Sequence, residues 1–244
     1  MKDTLLTVTE NAPICENVYR MCLAGDVSAI TSSGQFINIR LSGLYLRRPI
    51  SVYDLSDKDV TIIYKVVGKG TEKLSNARLG ARLDVLTGLG NGYDLQKSGD
   101  RPLLIGGGVG VPPLYLLAKK LIAEGKDVSV VLGFNKASEV FCEEEFRKLG
   151  CKVTVTTVDG SYGVKGFVTN ALPTDYTYFY TCGPEPMLKA VFRATKTSGQ
   201  FSFEERMGCG FGACMGCSCK TVTGFKRICK DGPVLEKEEI LWEK

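Results

Sequence analysis

The sequence predicts a multi-domain protein: an N-terminal antiparallel β-barrel, an α/β doubly wound parallel sheet, and a small cysteine-rich module at the C-terminal end. Three observations carry this. From residue 5 to about residue 97 the chain reads as short alternating or β-branched runs cut by Gly- and Asp-containing turns. From Asp100 to about Gly199 short strands alternate with helical stretches. Beyond that, five of the ten cysteines crowd between residues 209 and 229. The expected domains are therefore 1–98, 99–200 and 201–244.

Within the first segment, Leu5-Leu-Thr-Val-Thr, Gln35-Phe-Ile-Asn-Ile-Arg-Leu and Val60-Thr-Ile-Ile-Tyr-Lys-Val-Val read as strands. Several short strands at this spacing suit a small closed barrel. Arg47-Arg-Pro-Ile-Ser-Val-Tyr adds a chemical feature: Arg48 and Ser51 flank a proline that stiffens the strand. A guanidinium fork and a hydroxyl three residues apart can hold a phosphate. Gly68-Lys-Gly-Thr opens a short helix, expected from Thr71 to about Asn76, whose first amides would add to an anion site. Alone, an Arg-x-x-Ser strand is common, and its ordinary reading is structural.

The second segment begins with Leu103-Leu-Ile, a short buried strand running into Gly106-Gly-Gly-Val-Gly-Val-Pro-Pro and a helix from Pro113 to Ala123. Strands at Val128–Phe134, Lys152–Thr156 and Tyr176–Tyr180 follow, with helices at Glu139–Leu149 and Pro184–Thr197 and a last strand at Phe201. Ligands of such sheets sit at the carboxyl ends of the strands. The Gly106–Gly110 loop, at a helix start, suits close approach to a pyrophosphate, although prolines displace the third glycine of the dinucleotide fingerprint. No acidic residue ends the second strand; Phe134-Asn-Lys stands there instead, which leaves NAD against NADP open. Thr181-Cys-Gly-Pro is a second strand-end loop, with Cys182 in it.

In the third segment, Cys209, Cys214, Cys217 and Cys229 read as C-x4-C-x2-C-x11-C. The opening spacing is the plant-type ligand run for a [2Fe–2S] cluster. Gly208, Gly210, Gly212 and Gly216 let the backbone wrap tightly enough to aim amides at sulfur. Zinc is the competing reading, but zinc knuckles favour paired C-x2-C, which the x4 gap matches poorly. Cys219 falls outside the spacing and is expected not to be a ligand.

Bulk properties narrow the classes further. The net charge of +4 comes from dispersed basic residues, without the run that would mark a nucleic-acid partner. No apolar run approaches the ~18 residues of a membrane span, and no signal-peptide pattern is read, so a cytoplasmic protein is expected. The chain has no histidine, which removes imidazole bases, Ser–His and Cys–His dyads, and Rieske or haem ligation. Hydride and electron transfer on cofactors needs none of these.

Taken in order, Arg48-x-x-Ser51, Gly106-Gly-Gly-Val-Gly and Cys182-Gly-Pro resemble the ferredoxin–NADP reductase superfamily over roughly the first 200 residues. With Ile63-Tyr-Lys, Gly70-Thr, Asp159-Gly-Ser-Tyr-Gly-Val-Lys-Gly and the cysteine run, the whole chain is similar to the electron-transfer subunits of class 1B dihydroorotate dehydrogenases, which serve pyrimidine (UMP) biosynthesis. The resemblance implies FAD on Arg48, Pro49, Ile50 and Ser51, with Arg48 at the pyrophosphate. It implies that Ile63, Tyr64 and Lys65 line the flavin and that Gly70 and Thr71 close on its phosphates. Lys65 stands where relatives often have arginine, which keeps the charge and loses the fork. Gly107, Gly108 and Gly110 would receive NAD(H) as substrate, with Cys182 near the nicotinamide and no residue acting as acid or base. Cys209, Cys214, Cys217 and Cys229 would hold the [2Fe–2S] cluster. The implied partner is an FMN-containing catalytic subunit, two copies of each forming a heterotetramer, docked near Phe211 and Met215. Small subunits of sulfhydrogenases and of NADH-dependent ferredoxin:NADP oxidoreductases look similar too. A different class is a non-enzymatic zinc or redox-sensing module on the same fold.

Overall fold

The computed structural model describes residues 1–242. Six antiparallel strands close the barrel: β1 (Lys2–Cys15), β2 (Val18–Ala24), β3 (Phe36–Ile39), β4 (Arg48–Leu55), β5 (Asp59–Lys65) and β6 (Arg82–Leu89), in the order β1-β2-β5-β4-β3-β6. Alternation sends Leu6, Val8, Met21, Leu23, Ile37, Ile39 and Ile62 inward, where they form one core. Helix α1 (Lys69–Ser75) caps it with the fully buried Leu74. The helix starts two residues before Thr71, so Gly70 and Thr71 lie in its first turn.

The second unit is built from β7 (Pro102–Gly107), α2 (Pro113–Ala123), β8 (Ser129–Phe134), α3 (Glu143–Lys148), β9 (Lys152–Thr157), β10 (Val164–Lys165), β11 (Tyr178–Cys182), α4 (Glu185–Ala194) and β12 (Gly199–Ser202). Its strands run parallel in the order β10-β9-β8-β7-β11-β12. Successive residues of β7 face opposite sides: Leu104 joins the core under α2 and α3, while Leu103 and Ile105 join the core under α4. Helices thus cover both faces, which is why the strands are nearly continuous apolar runs. Helix α3 is shorter than the Glu139–Leu149 expectation. Cys142 takes a left-handed conformation (φ 64°) that separates the helix from a 3₁₀ turn at Ala137–Glu139.

The barrel and the sheet share their cores. Leu116 of α2 packs with the barrel residues, and Val18, Tyr53 and Ile63 pack with the sheet. Tyr53 stacks on Tyr115 at 4.4 Å, and Lys119 pairs with Asp54 at 2.9 Å. The C-terminal segment adds the hairpin β13 (Ser218–Thr221) and β14 (Gly224–Arg227), then returns to the sheet. There β15 (Val234–Glu236) pairs antiparallel with β12, an edge strand that the sequence reading did not contain. Among the described residues no helix is long and apolar enough to cross a membrane.

Candidate functional site

The glycine loop and the Thr181-Cys-Gly-Pro loop meet at the carboxyl ends of β7 and β11. A Cβ on Gly110 would stand 2.3 Å from the Cys182 carbonyl oxygen and 2.5 Å from the Gly183 Cα. Gly107 lies similarly close to Met187, the first-turn residue that α4 presents. Gly108 faces open space at φ 51°, a conformation that suits glycine. These glycines therefore let two strand ends close up and leave one backbone surface free beside a cleft of about 510 Å³. Gly107, Gly108 and Gly110 all line it, with Phe134 and Phe167 as apolar walls and Lys65 on the barrel side. A cleft of this size, mostly apolar and with few polar groups, suits a dinucleotide end.

Cys182 is brought to this place but is covered. Its thiol is 2% exposed, and burial pushes its pKa far up, with the Glu204 carboxylate adding to the rise and Ser202 opposing it. The thiol is therefore neutral, and Gly183 rather than Cys182 forms the cleft wall. Glu204 also lines the cleft, where it stays reachable by water although the enclosing protein raises its carboxyl pKa. Sequence reasoning missed Glu204 because nothing in its local pattern distinguishes it from a surface glutamate.

On the barrel, Arg48 and Gly70 come together: a Cβ on Gly70 would overlap the Arg48 side chain, 2.0 Å from Nε. The guanidinium, which donates to the Leu46 carbonyl, thereby sits against the first turn of α1, whose leading amides lack intrahelical acceptors. A cradle of a fork and free amides, kept open by a missing side chain, fits a pyrophosphate. Pro49, Ile50 and Ser51 continue the strand, half-buried, opposite Asn38, Ile37 and Phe36 of β3. Three expected contacts are different in kind. Tyr64 is 2% exposed, points into the barrel core, and gives its hydroxyl to Asn11 Oδ1 at 2.9 Å; only its backbone is left for a ligand. Ile63 is buried between barrel and sheet. The Thr71 hydroxyl accepts from the Val67 amide at 2.9 Å and donates to the Gly68 carbonyl, so it caps its own helix.

The cysteine loop sits against the same part of the barrel. Asn38 Nδ2 donates to the Cys209 carbonyl at 3.3 Å, and Gly210, at φ 80°, leaves no room there for a Cβ. Cys217 and Cys229 are buried with Phe36, Leu89, Ile228 and Leu235, whereas Cys214 is exposed and Cys209 half-buried. Asn91 ties the far side down, with its amide group bonded to the Val234 carbonyl at 2.8 Å and to the Val234 amide at 3.0 Å. Arg227 bridges Asp231 and the Gly212 carbonyl.

The four thiols sort as two pairs. The Ala213 and Cys214 amides donate to Cys209 Sγ at 3.2 and 3.4 Å, and the Cys209 amide donates to Cys214 Sγ at 3.4 Å. The Cys229 amide donates to Cys217 Sγ at 3.4 Å. Two thiol pairs with amides on their sulfurs suit the two irons of a [2Fe–2S] cluster. Burial opposes ionisation of Cys209, but hydrogen bonds from the Cys214 and Phe211 amides, the Cys214 thiol and the Ala213 amide outweigh it and bring its pKa down to about 6. Burial and the adjoining Cys217 thiol push Cys229 up to about 12. A bound cation offsets that second penalty, since ligand thiols bind deprotonated.

Residues 204–241 match a family model described as the iron-sulfur cluster binding domain of dihydroorotate dehydrogenase B, and residues 104–193 match the oxidoreductase NAD-binding domain. A Bacillus pumilus protein named dihydroorotate dehydrogenase B (NAD(+)), electron transfer subunit, is 45% identical, with 98% of each chain covered. The chain belongs to the dihydroorotate dehydrogenase B electron-transfer subunit family. A second member of that name, from Fusobacterium nucleatum, is 43% identical over 96% of each chain. Among solved structures, an NADH-dependent reduced ferredoxin-NADP oxidoreductase chain superposes with a TM-score of 0.89 at 31% identity, covering 98% of this chain and 90% of its own length. The Amycolatopsis cytochrome P450 reductase GcoB, at 23% identity and a TM-score of 0.70 over 79% of this chain and 65% of its own, shares the fold. The family resemblance and the fold class expected from the motifs are both borne out.

For an electron-transfer subunit of this family Cys219 is the informative control. It lies partly buried beside Cys217, Cys229 and Met207, and burial and the nearby Glu205 raise its thiol pKa. Cys219→Ser is expected to leave the electron paramagnetic resonance signal of the reduced protein unchanged, at a stability cost of about 1 kcal/mol. Loss of that signal would make Cys219 a ligand.

Proposed function

We propose that this chain carries electrons between NAD(H) and the FMN of a dihydroorotate-oxidising catalytic subunit in pyrimidine biosynthesis, with two copies of each subunit in a cytoplasmic complex. It is an NAD(H)-linked oxidoreductase subunit of the dihydroorotate dehydrogenase B type, with FAD and a [2Fe–2S] cluster as its groups. When bound, FAD supplies the conversion between two-electron hydride transfer with NAD(H) and single-electron exchange with the cluster. The observation that carries the reading is one register: Phe36 and Asn38 of β3, which touch the cysteine loop, stand opposite Ser51 and Pro49 of β4. Neighbouring strands lie about 5 Å apart, so the flavin strand and the cluster loop are close neighbours.

In this reading Arg48 and Gly70 cradle the flavin pyrophosphate, and Pro49, Ile50 and Ser51 run along the flavin. Ile63, Tyr64, Lys65 and Thr71 shape its surroundings, Tyr64 and Thr71 through backbone. Gly107, Gly108 and Gly110 hold the nicotinamide dinucleotide, and the neutral Cys182 sits behind the nicotinamide. Cys209, Cys214, Cys217 and Cys229 hold the cluster, with the buried pair toward the barrel and Cys214 toward solvent. The division into a flavin barrel 1–98, a nucleotide domain 99–200 and a cluster module 201–244 follows. The partner docks on the exposed side of the cysteine loop, where Phe211 and Met215 are 42% and 53% exposed rather than packed against the body. Tyr45 and Leu46, in the connection between β3 and β4, are further exposed apolar residues.

Anaerobically purified protein is expected to show flavin absorption with a broad red-brown shoulder, and to co-purify with an FMN-containing barrel subunit. A colourless protein with stoichiometric zinc sinks the reading. Co-purification with a hydrogenase subunit instead replaces the partner.

A further inference from the structure

We propose that Asn38 is a positioning residue for electron transfer: it holds the Cys209 peptide against the strand pair beside the flavin and so fixes how the cluster faces the flavin. This rests on reading Arg48–Ser51 as the flavin strand and the four cysteines as cluster ligands. Strand β3 reads Phe36-Ile37-Asn38-Ile39. Ile37 and Ile39 enter the barrel core, so Phe36 and Asn38 face the outside of the barrel. Residues paired across two strands share a face, which puts Ser51 and Pro49 of β4 beside them.

The local structure aims this side chain at the cysteine loop. Between Phe36 and Asn38 the pairing with β6 slips, from Leu89 to Leu86, and a bulge of this kind re-aims the side chains around it. Asn38 is 1% exposed, and its Nδ2 donates to the Cys209 carbonyl at 3.3 Å. Room for that bond exists because Gly210 lacks a Cβ, which would stand 2.3 Å from Nδ2. Among the described residues no other hydrogen bond joins the barrel to residues 207–219. The Asn38 backbone is held as well: its carbonyl accepts from Arg47 Nη1 at 3.3 Å, and Arg47 pairs with Asp84 at 2.7 Å.

Stability alone does not account for an asparagine here. Its Oδ1 is buried with no hydrogen-bond partner, a destabilising arrangement that an apolar side chain of the same shape avoids. What the asparagine supplies is the tie to Cys209. That tie reaches the sulfurs, because Cys209 Sγ accepts from the Ala213 and Cys214 amides and the Cys209 amide donates to Cys214 Sγ. The other pair, Cys217 and Cys229, is seated independently by packing with Phe36 and Leu89. Loss of the Asn38 amide would therefore free the Cys209–Cys214 half of the site relative to the barrel and leave the buried half in place.

The test is rapid mixing of the flavin- and cluster-loaded complex with NADH, following flavin and cluster absorbance separately, beside the paramagnetic resonance of the reduced protein and thermal melting of the apoprotein. Asn38→Leu keeps the shape and removes donor and acceptor. Asn38→Ser keeps a hydroxyl that is too short to reach the Cys209 carbonyl. Both variants should bleach the flavin at the wild-type rate and keep the full resonance signal. Cluster reduction should be slowed about tenfold or more, since a misplacement of about 1 Å can cost a step about a hundredfold. The Asn38→Leu apoprotein should melt no lower than the wild type, which a merely structural asparagine would not allow. Cluster reduction at the wild-type rate in either variant overturns the inference and leaves the functional reading standing, and so does loss of the cluster from both. A wild-type complex in which NADH bleaches the flavin and no cluster signal develops overturns the reading of the cysteines itself.

Discussion

Cys214→Ser is expected to abolish the cluster's paramagnetic resonance signal and the dihydroorotate-dependent reduction of NAD+ by the assembled complex. Reduction of ferricyanide by NADH, which needs only the flavin end, should survive. Cys214 is the best of the four proposed ligands for this test because it is exposed, and little packing is lost when its sulfur becomes oxygen. Cys217 and Cys229 are each 2% exposed among Phe36, Leu89 and Leu235, so replacing them also disturbs the seam between the cluster module and the barrel. The two kinds of failure separate by thermal unfolding. Cys214→Ser should melt with the apoprotein, whereas Cys217→Ser should melt lower by the cost of a polar group in an apolar site, about 1–3 kcal/mol. A retained signal in Cys214→Ser would take this cysteine out of the ligand set, and Cys219 would be the next thiol to examine.

Much of this architecture is legible in sequence because its signals are local. Strand alternation, the buried apolar run of β7 and the cysteine spacing each lie within a short window. What could not be read depends on distant pairings. Strand β15 returns to the edge of the nucleotide sheet, so the cluster module is fastened at both ends, yet Val234-Leu-Glu carries no sign of its partner β12. Asn38 and Asn91 read as ordinary polar residues, and only the fold sets them against the Cys209 and Val234 backbone. Motif resemblance also says nothing about which atom does the work. Strand alternation turns Tyr64 into the barrel, and helix capping takes the Thr71 hydroxyl. The shortened α3 is the most consequential difference. A helix running from Glu139 would have kept that carboxylate in a helical turn, whereas the left-handed Cys142 separates it from α3 and leaves it lining the cleft beside the glycine loop.

Gly110→Ala should damage stability and nucleotide use together. Its Cβ would lie 2.3 and 2.5 Å from the Cys182 carbonyl oxygen and carbon, and 2.5 Å from the Gly183 Cα. All three are backbone atoms. The strand end that carries them cannot easily retreat, because Cys182 is in register with Gly106 of β7 on one side and Ser202 of β12 on the other. Overpacking of this kind costs about 1–3 kcal/mol or more, and at about 2–4 °C per kcal/mol for a chain of this size the melting temperature should fall by several degrees. The glycine loop would be pushed away from the Cys182-Gly183 turn, so the KM for NADH should rise as well. Gly108→Ala gives the contrast. Nothing stands within 4 Å of its Cβ, and the cost is the left-handed backbone alone, about 1–2 kcal/mol. Its methyl group would project toward the cleft, raising KM with a smaller loss of stability. If Gly110→Ala melts and binds NADH like the wild type, the close approach of the two loops is not what shapes the site; if the two variants lose nucleotide affinity with separable effects on melting, space at Gly110 and an open backbone at Gly108 are distinct requirements of one cleft.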